Sequence, residues 1–198
     1  MLETMFDLSV LGPERVRPLR RLEYEALVER GLFGDERIEL LRGVLVEMSP
    51  QGQPHSRITA WLAQWFSRAV EFSRYDVRSH SGFAASDDSM PEPDVSISLR
   101  TADGGHPTKA LLLVEVAETS LAKDRSIKTE IYAQAGVPEY WIVNVRKHTV
   151  EVLTRPSRDG YGRVVTREAG DVLRPSRLRG IAIAVGDIPW TSRTRKRR

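Results

Sequence analysis

"ALLLVEVAETSLAKDRSIK", residues 110–128, joins two patterns that decide the architecture. Its first part is an apolar run with no polar alternation, the mark of a central strand buried on both faces. Its second part opens a helix expected from about Ala122 to Ala135, with Gly136 placed to cap it and Pro138 to block its continuation. "EYWIVNV" (139–145) then reads as another strand. Strand, helix and strand in succession predict an α/β fold, a mixed sheet with helices packed on it.

The rest of the chain extends this pattern. "RRLEYEALVERG" (20–31) reads as a helix stopped by Gly31. "RIELLRGVLVEMSP" (37–50) reads as a hairpin turning at Arg42-Gly43. In "HSRITAWLAQWFSRAVEFS" (55–73), Ile58, Leu62, Trp65, Ala69 and Phe72 recur at helical spacing and form an apolar face. "YDVRSHSGFAA" (75–85) and "DVSISL" (94–99) read as strands, and "TVEVLTR" (149–155) as the hairpin partner of 139–145. "YGRVVTREAGDVL" (161–173) and "GIAIAVGDI" (180–188) have β and turn character. There is no internal repeat and no linker, so one domain is expected over 19–190, with an extended arm at 1–18 and a basic tail at 191–198.

Composition limits the chemistry. The 198 residues carry no cysteine, which removes disulfides, thiolate ligands and cysteine nucleophiles. The formal net charge is +3, much of it in "TSRTRKRR". Without that tail the body is close to neutral, so charge alone argues little for nucleic acid. No apolar run approaches a membrane span and no leader pattern opens the chain. A cytoplasmic protein is expected.

Four charged residues stand where packing does not call for them. Counting about 100° per residue from Asp124 puts Ile127, Lys128, Ile131 and Ala135 at about 300°, 40°, 340° and 20°. Asp124 and Lys128 therefore lie inside the apolar stripe, where an unpaired charge is costly. The plain account is a mutual i,i+4 ion pair. Lys123, at about 260°, is expected to point away. Glu115 ends the buried strand and Asp94 opens another. Carboxylates on adjacent strands stand about 5 Å apart and repel unless a cation or a proton lies between them. With only oxygen ligands, the expected cation is Mg²⁺ or Mn²⁺.

Asp94 after Pro93 and Glu115 on a central strand resemble the PD-(D/E)XK restriction-endonuclease-like superfamily. The string "LLVEVAETSLAKDRSIKTEIYAQAGVPEYWIVNV" is similar to the signature of its Uma2 branch, and the first hairpin followed by His55 and a helix also fits. The resemblance spans roughly 19–190 and implies a restriction-endonuclease-like core. It implies Asp94, Glu115 and the Val116 carbonyl as ligands of one or two divalent ions. It also implies Lys128 as the catalytic lysine and DNA as the substrate. The superfamily's lysine usually stands two residues after the glutamate; that position is Ala117 here, and the lysine is displaced onto the helix. Glu39 resembles an additional acidic residue of the superfamily. His55 is expected as a helix-start residue with a satisfied hydrogen bond, or as a group behind the site. Tyr132 flanks the stripe, and Trp61, Trp65, Tyr140 and Trp141 are expected in the core.

The leading expectation is a metal-dependent DNA endonuclease. The others are an inactive nuclease-fold module that binds nucleic acid or protein, and hydrolysis of RNA or another phosphoester. The apolar segment "GIAIAVGDIPW" suggests a homodimer.

Overall fold

The chain builds a six-stranded mixed sheet between two helical layers. The computed structural model describes residues 15–102 and 104–190. Most of the expected arm and the basic tail lie outside the described residues. Helix α1 (Arg21–Glu29) is followed by the hairpin β1 (Ile38–Leu41) and β2 (Val44–Glu47), and then by α2 (Gln53–Ala69). Arg42 and Gly43 both take positive φ, the geometry of a tight two-residue hairpin turn. A side chain at 43 would strike Pro18, so glycine is required there.

The main sheet is ordered β3-β4-β5-β6-β7-β8. Its strands are β3 (Tyr75–Ser79), β4 (Val95–Leu99), β5 (Leu112–Ala117), β6 (Glu139–Asn144), β7 (Thr149–Ser157) and β8 (Gly160–Arg167). Neighbours are antiparallel except β5 and β6, which run parallel. A parallel pair needs a helical crossover. It is supplied by α3 (Leu121–Lys123), a π-helical turn (Asp124–Lys128) and α4 (Thr129–Gln134). A small pair, β9 (Val172–Leu173) and β10 (Ile183–Ala184), completes the fold.

Every residue of β5 and β6 is buried, as the unbroken apolar run requires. Leu112, Val114 and Val116 pack under Ile58, Leu62 and Phe66 of α2. Leu113 and Ala117 face the other way, with Ile131, Tyr132 and Tyr140. Each fully buried aliphatic side chain contributes about 1.5–3 kcal/mol. Glu115 falls by alternation on the second face, beneath the crossover.

Three sequence expectations change. Helix α2 ends at Ala69, and Phe66, not Trp65 or Ala69, completes its buried face; Phe72 is 77% exposed in the following turn. Trp61 and Trp65 are half-buried at the rim of the core. The strand expected over 75–85 stops at Ser79, where His80 takes a positive φ and turns the chain. Ile183, Val185 and Ile188, in the apolar segment expected to serve a dimer, are buried in the chain's own core. Among the described residues, no helix is long and apolar enough to cross a membrane.

Candidate metal centre

The C-terminal end of β5 opens into a cavity of about 500 Å³. Its lining includes His55, Asp94, Glu115, Lys123, Asp124 and Lys128, with residues 46–52 and 118–120 at the rim. Asp94 immediately precedes β4, whose Val95 pairs with Val114. One more step of that register sets Asp94 opposite Glu115.

Lys128 is wholly buried and lies between two carboxylates. Its Nζ is 2.9 Å from Glu115 Oε1 and 3.0 Å from Glu39 Oε2. Burial acts to lower its pKa, but Glu115, Glu39 and Asp124 outweigh that and raise it, so the ammonium stays charged. Tyr132 donates its hydroxyl to Glu115 Oε1 at 2.7 Å. Glu115 Oε2 has no hydrogen-bond partner among the described residues. Burial pushes the Glu115 carboxyl well above its ordinary pKa, with Lys128 opposing and Asp124, Asp94 and Glu39 reinforcing.

The expected Asp124–Lys128 ion pair is not formed. Asp124 instead accepts from Ser120 Oγ at 2.6 Å, and its other oxygen is buried without a partner. Burial raises its pKa. Lys123, expected to point away, reaches Glu39 Oε1 at 2.6 Å. The π turn explains the difference. In an α-helix, residues five apart stand about 140° apart; in an i→i+5 turn they come onto one side. Lys123 and Lys128 are five apart across that turn. The turn is marked by Thr129 Oγ1, which donates to the Asp124 carbonyl at 2.7 Å. Burial works to raise the pKa of Glu39, but Lys128 and Lys123 hold it below its ordinary value.

His55, at the start of α2, lines the same cavity and places Nε2 3.1 Å from Asp94 Oδ2. Its Nδ1 is buried and unpartnered. The Val116 amide donates to the same Asp94 oxygen at 2.7 Å. Burial would raise Asp94, yet His55 and that amide hold it below its ordinary pKa. Gly52 caps α2, and a Cβ there would come within 2.5 Å of Glu118 Oε2, so a larger residue would have to displace the Glu118 carboxylate.

The family model described as "Uma2: Putative restriction endonuclease" matches residues 22–186. The chain belongs to this Uma2 family. Comparison with curated proteins gives no match. A crystal structure from Anabaena variabilis, described as a putative nuclease belonging to DUF820, is similar with a TM-score of 0.64. It shares 18% identity, and the match covers 82% of this chain and 97% of that one. At that identity the likeness establishes a common, nuclease-like α/β fold.

The Uma2 chain thus brings together Glu39, His55, Asp94, Glu115, Val116, Asp124, Lys128 and Tyr132. Two neighbours were not legible in the sequence. Lys123 was set aside by regular helical counting. His80, whose Nδ1 lies 3.4 Å from Asp94 Oδ1, sits in a loop without periodicity. Its pKa is lowered by burial, against the pull of Asp94.

The residues suit a hard divalent cation. Glu39, Asp94, Glu115 and Asp124 carry four formal negative charges against two on Lys123 and Lys128. Burial, reinforced by Asp124, Asp94 and Glu39, raises the pKa of Glu115, and one Asp124 oxygen is left without a partner. Among the described residues, no three carboxylates or imidazoles converge closely enough to enclose an ion.

Proposed function

We propose that this Uma2 protein is a metal-dependent endonuclease that hydrolyses phosphodiester bonds in DNA. The observation that carries the reading is the buried Lys128, set between Glu39 and Glu115 in the wall of the cavity that Asp94 also lines. Asp94 and Glu115 would hold Mg²⁺ or Mn²⁺, with the Val116 carbonyl as a further ligand. When bound, the ion lowers the pKa of water and offsets charge at the phosphate.

The chain's own residues do the rest. His55 and the Val116 amide fix the Asp94 carboxylate in its ionised form. Tyr132 and Lys128 orient Glu115 through Oε1 and leave Oε2 for a cation. Lys128 supplies a fixed positive charge where negative charge develops on phosphorus oxygens. Glu39 holds both lysines, and Lys123 brings a second cation to the cavity wall.

One observation favours a non-catalytic module: Lys128 is already fully paired, as a structural ion pair would be. Incubating supercoiled DNA with the protein and Mg²⁺, Mn²⁺ or EDTA, beside Glu115→Ala, separates the two. Metal-dependent nicking that the variant lacks is expected. Absence of nicking by a folded wild type, with intact DNA binding, would leave the module.

A further inference from the structure

A second cleft lies at the far end of α2. Helix α2 carries His55 in its first turn and ends at Ala69, so the 14 residue steps between them set the two places about 21 Å apart. The cleft, of about 360 Å³, lies between the end of α2 and residues 177–181. Arg74, Arg177 and Arg179 line it.

Its charge is unbalanced. The side chains of Arg177 and Arg179 make no hydrogen bond or ion pair among the described residues. The only acid in the lining is Glu71, whose Oε1 accepts from Ser73 at 2.6 Å. The Arg74 guanidinium lies 5.2 Å from the Tyr75 ring.

Beside this lining, in the turn between Glu71 and Arg74, stands Phe72. At 77% exposure it is the most exposed large apolar side chain among the described residues. One face of its ring carries the Arg100 guanidinium, 4.3 Å from the ring centre. Arg100 is tied down by bonds to the carbonyls of Phe72 and Tyr75 at 3.0 and 3.5 Å. The ring is thus held in place with its other side toward solvent.

Guanidinium groups bind phosphate oxygens in a bidentate manner, and an exposed ring beside them stacks an unpaired base. A duplex hides its base faces; a single strand offers phosphates and bases together. We propose that this cleft binds a single-stranded stretch of nucleic acid, its phosphates on Arg74, Arg177 and Arg179 and one base on the open face of Phe72. The identity of the ligand rests on the nuclease reading above; the cleft itself is remote from the metal centre. It would hold unpaired nucleic acid well away from the bond being cut.

The test is fluorescence anisotropy with a labelled 20-nucleotide single strand and a duplex of equal length. The full chain is used in EDTA, across a salt series. Arg177→Ala/Arg179→Ala should weaken single-strand binding and flatten the slope of log affinity against log salt by about 1.4, for two phosphates released at about 0.7 each. Arg177→Lys/Arg179→Lys should restore most of the slope. Phe72→Ala should weaken single-strand binding roughly 5- to 150-fold and leave duplex binding unchanged. Melting curves establish that the variants remain folded.

Wild-type binding that the variants do not alter would overturn the cleft while metal-dependent nicking still supported the nuclease. Binding that depends on the cleft, without nicking under any metal, would uphold the cleft and remove the nuclease reading. A chain that binds neither oligonucleotide would end the cleft proposal whatever its partner, an acidic protein included.

Discussion

Lys128 Nζ stands 2.9 Å from Glu115 Oε1, and both side chains are almost wholly buried. The buried ammonium needs a carboxylate beside it, and Glu115 and Glu39 each supply one. The pair joins the π turn of the crossover to the central strand, so a local irregularity of the helix is tied directly to the end of β5. Glu39 of the first hairpin closes the arrangement from a third element, at 3.0 Å from the same ammonium. Removing the ammonium leaves two buried carboxylates without the cation they share, which costs more than the pairing itself contributes.

The two lysines on Glu39 should therefore respond unequally to deletion. Lys128→Met leaves Glu39 and Glu115 buried with one cation fewer, and unfolding in urea at pH 7 should show a loss of about 3–5 kcal/mol. Lys123→Met removes a side chain that is 28% exposed, so screening by solvent limits the loss to about 1 kcal/mol. Equal losses would mean that burial does not separate them.

Glu115→Gln tests the metal reading without opening a cavity. Glutamine has nearly the same volume, and its carbonyl oxygen can accept from Lys128 and Tyr132. It also removes a carboxylate whose ionisation burial disfavours. Metal-dependent nicking should vanish, while stability in EDTA stays within about 1 kcal/mol of the wild type. Adding Mg²⁺ should raise the melting temperature of the wild type and not of the variant, because only a folded state that binds the ion is stabilised by it. Collapse of the fold would make Glu115 a structural residue alone.

The sequence shows the central strand, the crossover, the first hairpin and the two strand-edge carboxylates plainly. Those features follow from local pattern: an unbroken apolar run has one stable place in a layered fold, and an acid in it has few uses. Lys128 was legible because regular helical counting still places it near the stripe. Lys123 was not, because an i→i+5 turn has no signature in residue types and alters the angle between residues five apart. The end of α2 was also hidden. Phe72 continues the apolar spacing of the helix, but the chain leaves the helix after Ala69, and only the packed structure decides where. His80 depends on a loop path that no periodicity encodes.

Glu39 gives a pH-dependent expectation. Its folded pKa is held below the ordinary 4.5, with the two lysines outweighing burial. Between its folded and unfolded pKa values the unfolded chain binds more protons, so stability rises with pH across that window. The advantage of the wild type over Glu39→Gln should thus be complete above about pH 4.5 and shrink as pH falls through the lower, folded pKa. Urea midpoints for both proteins from pH 7 to pH 3 measure it. A difference that persists unchanged to pH 3 would show that the carboxylate's charge is not what Lys128 and Lys123 require.

If the proposed centre takes a cation, His55 should govern how tightly it is held. Its Nε2 lies 3.1 Å from Asp94 Oδ2, at the oxygen that also receives the Val116 amide. Burial works to protonate Asp94, and the histidine is the largest influence opposing it. In His55→Ala, Asp94 keeps one donor and loses the other, so its carboxyl pKa rises and its aim loosens. Groups that orient a ligand in this way commonly change metal affinity or activity about 10–100-fold. The concentration of Mn²⁺ that gives half of the full thermal shift should rise by that factor in His55→Ala. His80→Ala should do less, because its Nδ1 is 3.4 Å from Asp94 and the side chain is 31% exposed. Nicking at saturating metal should recover much of its rate in His55→Ala, since the histidine acts through Asp94 and not on the phosphate. A variant that binds Mn²⁺ like the wild type yet cuts no DNA would instead place His55 among the groups that touch the substrate.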